Sequence, residues 1–241
     1  MTPRSWTLSE AFDRAAPSYD AMVALSPGYH DQLARAAAAL VERLPEQATV
    51  LDLGCGSGAS TQAILAAWEG AGRPANALTV LGVDASAGMI GQALHKRWPA
   101  TVTFGIDDAV HWLERRADAS VDGILAAYLL RNVTDRDALV AEVARVLRPG
   151  GAVVLHDYSV AGSRSARILW AGICHGVVIP LAILKRSDVP LHRYLYTSVR
   201  DFDSVPEVMT RLTRAGFGQL RHLRHRGWQH GIIHTVVGVR R

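Results

Sequence analysis

The amino-acid sequence predicts an α/β protein built around a mainly parallel sheet. Short apolar runs typical of strands alternate with helical patterns along most of the chain, which indicates a parallel sheet covered by helices on both faces. Close to the end, two apolar runs follow one another without a helix between them, which predicts an antiparallel edge. We therefore expect seven strands, at 48–53, 78–83, 102–106, 121–127, 152–155, 218–223 and 232–239.

The predicted helices follow from apolar residues spaced three or four positions apart and from the residues that end each pattern. Leu33, Leu40 and Leu44 share one face of a helix over 30–44, which Pro45 ends. Residues 149–151, with the sequence Pro-Gly-Gly, end another helix. The other helices are expected over 87–97, 135–147 and 205–215, and a further one begins after the glycine-rich turn near residue 54.

The length predicts a single domain over residues 1–241, since 241 residues suit one large α/β unit. Residues 1–45 precede the first strand and are expected to form an N-terminal helical cap. Between 158 and 204 the alternation loosens, and we expect an inserted lid over an acceptor site there.

Composition excludes several classes of protein. Hydrophobic residues make up 49% of the chain and charged residues 20%, which predicts a buried core rather than disorder. Two cysteines cannot build a disulfide framework, and no Cys/His spacing predicts a zinc site, so no metal is expected. The first residues lack the apolar core of a secretory signal, and a reducing, cytoplasmic setting is expected.

The excess of basic residues is assigned to a solvated surface. The net charge is +4, with much of the excess being arginine late in the chain, but no RNA-binding module accompanies it, so no nucleic-acid partner is expected. The most apolar stretch, 168–184, contains His175 and Pro180 and falls short of the ~20 apolar residues that span a bilayer. It predicts a buried or substrate-covering segment, or a peripheral contact with a membrane surface. A homodimer is left open.

The strongest motif is the glycine-rich turn after the first strand. Gly54, Gly56 and Gly58 are spaced GxGxG, with Asp52 two residues before the first of them. The dinucleotide fingerprint is GxGxxG instead and receives a pyrophosphate. Asp52 suits an ammonium better than a phosphate, and S-adenosylmethionine (SAM) carries an ammonium, a ribose and an adenine but no phosphate. The alternative is a tight turn that binds nothing.

Two further strand ends carry acids that suit the rest of such a cofactor. Asp84 ends the second strand, where a carboxylate can accept both ribose hydroxyls. Asp108 follows the third strand and can accept from an adenine amino group, while the backbone N–H of Ala109 meets a ring nitrogen. Asp107 competes with Asp108 for this role.

These segments resemble a known superfamily, and one of them a narrower family. LDLGCGSG, VDAS (which contains Asp84 and Ala85) and VLRPGG resemble the class I SAM-dependent methyltransferases, which implies a Rossmann-like fold. LRNVTD at 130–135 is similar to a segment of the ubiquinone/menaquinone biosynthesis C-methyltransferase family. FD…SYD near residue 12, HRYL…SV near residue 192 and GF at 216 also resemble that family. The resemblance implies SAM-dependent methylation of a ring carbon in a small aromatic acceptor, a hydroquinone or phenol that carries a prenyl chain in that family.

Carbon becomes a good nucleophile when the neighbouring ring hydroxyl loses its proton, so a base or an anion-stabilising cation is useful. By resemblance, Arg131 and Asn132 orient the phenol and stabilise its anion. The alternative is structural: Arg131 pairs with a carboxylate and Asn132 caps the following helix.

Departures from the family concern the acceptor. His156 follows the fifth strand where the family has an acidic residue, and it is either a general base or a hydrogen-bonded core histidine. Tyr19 is a candidate cover for the methionine end of the cofactor. Tyr194 and His175 are candidates for lining the acceptor pocket, although simple packing would explain each of them.

Three other functions stay open from the sequence. An O- or N-methyltransferase of a secondary metabolite would share the same scaffold. A SAM-binding protein without transferase activity would bind the cofactor and consume no methyl groups. An NAD-dependent oxidoreductase would be stabilised by NAD rather than SAM.

Overall fold

A computed structural model describes residues 7–24, 26–184, 188–225, 227 and 229–241 of the chain. In this part of the chain, one seven-stranded sheet is present. Its strands are β1 (Ala48–Leu53), β2 (Leu78–Asp84), β3 (Val102–Ile106), β4 (Val121–Ala127), β5 (Leu147–Tyr158), β6 (Phe217–Arg224) and β7 (Ile233–Arg240). Their order across the sheet is β3-β2-β1-β4-β5-β7-β6.

The pairing of the strands confirms the predicted fold class. β1 pairs in parallel with β2 and β4, and β3 and β5 extend the sheet in parallel on either side. β7 then pairs antiparallel with β5, and β6 pairs antiparallel with β7. The mainly parallel sheet with an antiparallel edge is therefore as predicted.

The register brings three loops together at one edge of the sheet. Leu53, the last residue of β1, lies beside Val83 of β2 and Ala126 of β4. The segments that follow β1, β2 and β4 therefore leave the sheet side by side. In sheets of this kind, the carboxyl ends of the strands are where ligands bind.

Helices cover both faces of the sheet, because right-handed β–α–β connections that run in opposite directions from β1 place their helices on opposite faces. The helices of the described residues are α1 (Leu8–Ala24), α2 (Tyr29–Val41), α3 (Ala59–Gly70), α4 (Ala87–Leu94), α5 (Ala109–Glu114), α6 (Arg136–Val146), α7 (Arg164–Ile173), α8 (Ile179–Leu184), α9 (Val189–Arg200) and α10 (Val205–Arg214). A π-helical turn, Cys174–Val178, joins α7 to α8.

The core consists of two apolar layers separated by the sheet. Leu51 and Leu53 of β1 contribute to one layer, and Val50 of the same strand contributes to the other. All three side chains are 0% exposed, so β1 is buried on both faces, as parallel central strands are. A smaller cluster that includes Trp170 and Val199 packs α7 against α9.

One helical run stands out by its exposed apolar surface. α7, the π turn and α8 form a run of 21 residues, Arg164–Leu184, which by length and composition could cross a membrane; 22% of its most apolar window is buried. The apolar stretch predicted from the sequence begins four residues later, at Ile168, and is too short to cross a bilayer. The helical run is longer than predicted, because it also includes the polar turn before Ile168.

Most predicted elements agree with the observed ones within a few residues. The strands over 48–53, 102–106 and 121–127 have the predicted bounds. The fifth strand begins earlier, at Leu147, because Leu147 already pairs with Val121 and the Pro-Gly-Gly segment lies inside β5 rather than after a helix. Helices occupy the predicted cap over 1–45, from residue 8 onward, and the region over 158–204. Their assignment as a cap and a lid stays a prediction.

Candidate active site

The turn after β1 is built from glycines in the left-handed region of backbone conformation. Gly54, Gly56 and Gly58 have φ values of 70°, 54° and 90°, which residues with a side chain rarely adopt. A Cβ on Gly54 would also lie 3.1 Å from the side chain of Leu129, which follows β4. The Gly54 amide donates to the Val83 carbonyl at 2.8 Å, which ties the turn to β2. The loop is therefore a fixed backbone cradle.

Asp52 lies under this cradle and is 0% exposed. One carboxylate oxygen, Oδ2, accepts hydrogen bonds from Ser60 Oγ at 2.8 Å and Thr61 Oγ1 at 2.5 Å. The other, Oδ1, has no hydrogen-bond partner among the described residues. Burial raises the pKa of this carboxyl to about 6. A buried carboxylate with an unpaired oxygen is stabilised by a cationic partner, and the ammonium group of SAM is such a partner.

Asp84 joins the glycine turn to the end of β2. Its Oδ2 accepts from the Gly56 amide at 2.9 Å, and its Oδ1 accepts from the Ser86 amide at 2.8 Å. Burial raises the pKa of Asp84. Each carboxylate oxygen has a second lone pair, so both can still accept from vicinal hydroxyl groups such as those of a ribose. Ala85, the next residue, is exposed beside it.

At the end of β3, Asp108 rather than Asp107 is the better candidate for adenine contact. Asp108 caps α5, and its Oδ1 accepts from the amides of Val110 and His111 at 2.9 and 3.3 Å. Asp107 instead accepts from His111 and Arg115, and the His111 hydrogen bond lowers its pKa. Ala109 is the first residue of α5, and an N–H in the first turn has no partner within the helix.

After β4, Arg131 forms an ion pair with Asp157, a residue for which no role is predicted from the sequence. Its Nη1 donates to Asp157 Oδ1 at 2.8 Å, and its backbone amide donates to Asp157 Oδ2 at 3.2 Å. Nη1 also donates to the Tyr128 carbonyl at 2.8 Å. Nε is buried and has no partner among the described residues. The ion pair that the structural alternative required is therefore present, and the buried Nε–H has no acceptor among the described residues.

Asn132 contacts the predicted acceptor residue Tyr194. Its Nδ2 donates to the Tyr128 carbonyl at 2.9 Å, and its Oδ1 accepts from the Tyr194 hydroxyl at 3.0 Å. The alternative role for Asn132, capping the next helix, is wrong. Asp135 caps α6, accepting from the Ala138 amide at 2.9 Å.

Tyr128 is a further candidate site residue, and it is not predicted from the sequence. Its φ is 58°, a conformation that is rare for a bulky side chain and typical of functional sites. The ring stacks between Tyr29 and Tyr158, with centroid distances of 5.4 and 5.0 Å. Its carbonyl is the acceptor shared by Arg131 and Asn132. No pattern in the sequence distinguishes this backbone conformation.

His156 is a core histidine, and its assignment as a candidate general base is corrected here. It is 0% exposed on β5, between Ala127 of β4 and Thr235 of β7. Nδ1 lies 2.8 Å from Thr235 Oγ1, and Nε2 lies 3.1 Å from the Tyr128 hydroxyl. Burial lowers its pKa to about 3, so the ring is neutral and both nitrogens are engaged. Its contact with the Tyr128 hydroxyl helps to hold the Tyr128 ring in place.

The remaining candidates lie on the helices that surround the loops. Tyr19 of α1 is half-buried, and burial raises its pKa to about 12; the charged groups of Arg131 and Asp84 are among those that act on it. His175 lies on the exposed π turn, with its ring 4.6 Å from that of Tyr196, and does not join the hydrogen-bond network around Arg131. Within the described residues, no group of three or more His, Cys, Asp or Glu side chains could hold a metal ion.

The residues present fit SAM. The unpaired Oδ1 of Asp52 suits the ammonium, Asp84 suits the ribose, and Asp108 with Ala109 suits the adenine. The glycine turn between them allows close backbone approach. Arg131 lies in the segment that follows β4, the strand that pairs with β1.

Comparison with known proteins agrees with this geometry. The model of the ubiE/COQ5 methyltransferase family matches residues 2–240. The ubiquinone/menaquinone biosynthesis C-methyltransferase UbiE of Syntrophotalea carbinolica is 32% identical over 95% of this chain and 92% of its own length. The demethylmenaquinone methyltransferase of Streptomyces griseus is 28% identical over 88% and 87%.

Solved structures share the fold. A SAM-dependent methyltransferase from Thermotoga maritima superposes with a TM-score of 0.63 at 18% identity and covers 97% of this chain and 100% of its own. The phosphoethanolamine N-methyltransferase 2 of Haemonchus contortus, solved with SAM, has a TM-score of 0.65 at 17% identity and covers 99% of this chain and 61% of its own.

Proposed function

Because this chain belongs to the ubiE/COQ5 methyltransferase family and is a SAM-dependent methyltransferase, we propose that it methylates a ring carbon of a hydroquinone-like or phenolic acceptor. The relatives named for quinone biosynthesis support a quinone-type ring. The observation that carries the proposal for this chain is the buried guanidinium of Arg131, whose Nε has no partner among the described residues.

The protein can promote this reaction by positioning the acceptor and by stabilising the charge on its ring oxygen. When bound, SAM supplies a methyl group on an electrophilic sulfonium. Transfer of that methyl group to the ring carbon would leave S-adenosylhomocysteine, and the ring carbon would lose its proton to water to restore aromaticity. Arg131 is proposed to donate from Nε to the ring oxygen, which favours the phenolate and makes the adjacent carbon nucleophilic. Asp157 holds the guanidinium through one hydrogen bond from Nη1 and holds the Arg131 backbone through a second from its amide.

The cofactor residues are proposed from the contacts described above. Asp52 holds the ammonium, Asp84 with Ala85 holds the ribose, and Asp108 with the Ala109 amide holds the adenine. Tyr19 is proposed to cover the methionine end, since it is half-buried on α1 and the charges of Arg131 and Asp84 both act on it. The cradle for these groups is formed by Gly54, Gly56 and Gly58.

The acceptor side is proposed to lie between the segment after β4 and α9. Asn132 and Tyr194 are hydrogen-bonded to each other between these two segments, and this polar pair is proposed to face a ring hydroxyl. His175 is proposed only for the outer rim of the lid, because it is exposed.

Product analysis tests the proposal directly. The purified protein is incubated with SAM and a panel of quinols and phenols, and the products are examined by mass spectrometry and NMR. A carbon-methylated ring, seen as the loss of one aromatic C–H signal, is expected. An O- or N-linked methyl group would replace the proposal with the alternative chemistry. Cofactor binding without methyl consumption across the panel would also overturn it.

We also propose that the lid contacts an anionic membrane surface. Ile168 and Leu184 are 74% and 80% exposed, and Arg164 and Arg167 are exposed at the start of the same run. No Asp or Glu occurs between Asp157 and Asp188 in the sequence. An apolar face with basic flanks and no acidic residues suits anionic lipid. The other exposed apolar residues of the run are Leu169, Val177, Leu181 and Ile183.

A further inference from the structure

Two aspartates of α1 contact the two loops that are proposed to hold the cofactor. Asp13 Oδ1 accepts from Ser86 Oγ at 2.6 Å and from the Gly88 amide at 2.8 Å. Ser86 comes two residues after Asp84 and donates its own amide to that carboxylate. Asp13 is therefore linked through Ser86 to Asp84, the proposed ribose ligand.

Asp20 makes the corresponding contacts with the glycine turn. It accepts from the Ser57 hydroxyl and pairs with Lys96 Nζ at 2.7 Å. Lys96 also donates to the Ser57 carbonyl at 2.8 Å, so the three residues form a closed set. Ser57 lies between Gly56 and Gly58 and is 2% exposed.

The spacing of the two aspartates matches the helix. Asp13 and Asp20 are seven residues apart, which is about two helical turns, so they share one face of α1. That face lies directly on the start of α4, because a Cβ on Gly88 would be 3.0 Å from Asp13 Cα. Tyr19, beside Asp20, is half-buried, and the charges of Arg131 and Asp84 act on it. α1 therefore lies across both loops.

We propose that Asp13 and Asp20 are positioning residues that fasten α1 across the two cofactor loops, so that release of this helix controls cofactor entry and exit. The fastening is suited to release, because the side chains of Asp20 and Lys96 are 48% and 25% exposed, and partly exposed pairs are weak and screened by salt. The inference rests on the SAM-dependent chemistry and not on the identity of the acceptor.

The rates of S-adenosylhomocysteine binding and release test the inference without any acceptor. They are followed by stopped-flow tryptophan fluorescence, since Trp98 packs against Gly58 of the glycine turn. Asp13→Ala and Asp20→Ala are compared with Asp31→Ala, which removes an exposed acid from the first turn of α2. We expect both association and dissociation to accelerate in the two test variants, roughly 5- to 30-fold if each contact contributes as much as a typical 1–2 kcal/mol interaction. Loss of an ordinary stabilising contact would accelerate dissociation alone.

Limited trypsin digestion of the full chain gives a second readout. Cleavage after Arg14, within α1, is expected to be faster in Asp13→Ala and Asp20→Ala than in wild type or Asp31→Ala. Added salt is expected to accelerate it in wild type and to have less effect in Asp20→Ala. Rates and cleavage equal to those of Asp31→Ala would overturn the inference. Since no acceptor is present, that result would leave the proposed ring methylation standing.

Discussion

Arg131 and Asp157 form an ion pair of 2.8 Å in which the two side chains are only 7% and 6% exposed. The pair joins the segment after β4 to the end of β5, at the same edge of the sheet as the glycine turn. Removing one partner of such a pair leaves an uncompensated buried charge, which is strongly destabilising. Variants of this pair must therefore retain the charge if they are to report on chemistry.

Arg131→Lys is expected to lower kcat far more than it weakens SAM binding. Lysine keeps the positive charge beside Asp157 but lacks the Nε donor that has no partner among the described residues. Steady-state kinetics and calorimetry with S-adenosylhomocysteine measure the two effects separately. Arg136→Lys is the matched control, because Arg136 pairs with Asp203 at 2.9 Å and has no proposed role in the chemistry. Equal losses of kcat and cofactor affinity in Arg131→Lys would make the arginine structural.

Asp84→Ala is expected to weaken binding of S-adenosylhomocysteine by about 1–3 kcal/mol, or roughly 5- to 150-fold in Kd. The variant loses the proposed ribose acceptor and also the acceptor for the Gly56 and Ser86 amides. Isothermal titration calorimetry measures the change.

Asp122→Ala is the control for this variant, because it separates loss of a loop carboxylate from loss of a ligand. Asp122 also accepts a backbone amide, that of Thr49 at 2.8 Å, but it lies near the start of β4, away from the carboxyl ends of the strands. It should lower the melting temperature and leave the Kd unchanged. An unchanged Kd in Asp84→Ala would remove Asp84 from the site.

The ionisation of Asp52 predicts how binding depends on pH. Burial raises its pKa to about 6 from the ordinary value of 3.8, so the folded protein binds more protons than the unfolded chain between about pH 4 and 6. Through this group, the stability of the free protein falls as the pH rises through that range. A cationic ligand favours the ionised carboxylate and lowers its pKa, so affinity should fall below about pH 6.

Calorimetry in buffers of different ionisation enthalpy tests this coupling. Binding of S-adenosylhomocysteine should release protons near pH 6 and few near pH 8, and Asp52→Asn should abolish the release. Asp84 also has a pKa raised by burial, so proton release that persists in Asp52→Asn would assign the coupling to Asp84.

The sequence predicted the parts of this site that depend on local pattern. Gly54, Asp52 and Asp84 lie at strand ends, and apolar periodicity locates strand ends well. The partner of Arg131 could not be found in this way, because Asp157 lies 26 residues away and meets it only through the pairing of β4 with β5. The burial of His156 depends on β7, a strand that follows 77 residues later. Such contacts are set by the sheet order, which local pattern does not contain.

The lid proposal predicts binding to anionic vesicles that depends on the apolar face of α7 and α8. The wild-type protein should co-sediment with phosphatidylglycerol-containing vesicles. The Ile168→Asp and Leu184→Asp variants should stay in the supernatant, because burying a charge in the interface is costly. Leu94→Asp is the control, since Leu94 is 63% exposed on α4, a helix with no proposed membrane role. Binding should weaken with salt if the exposed Arg164 and Arg167 contribute. If Ile168→Asp instead changes the mass of the protein in solution without affecting vesicle binding, the apolar face is a contact between copies of the chain and the membrane proposal fails.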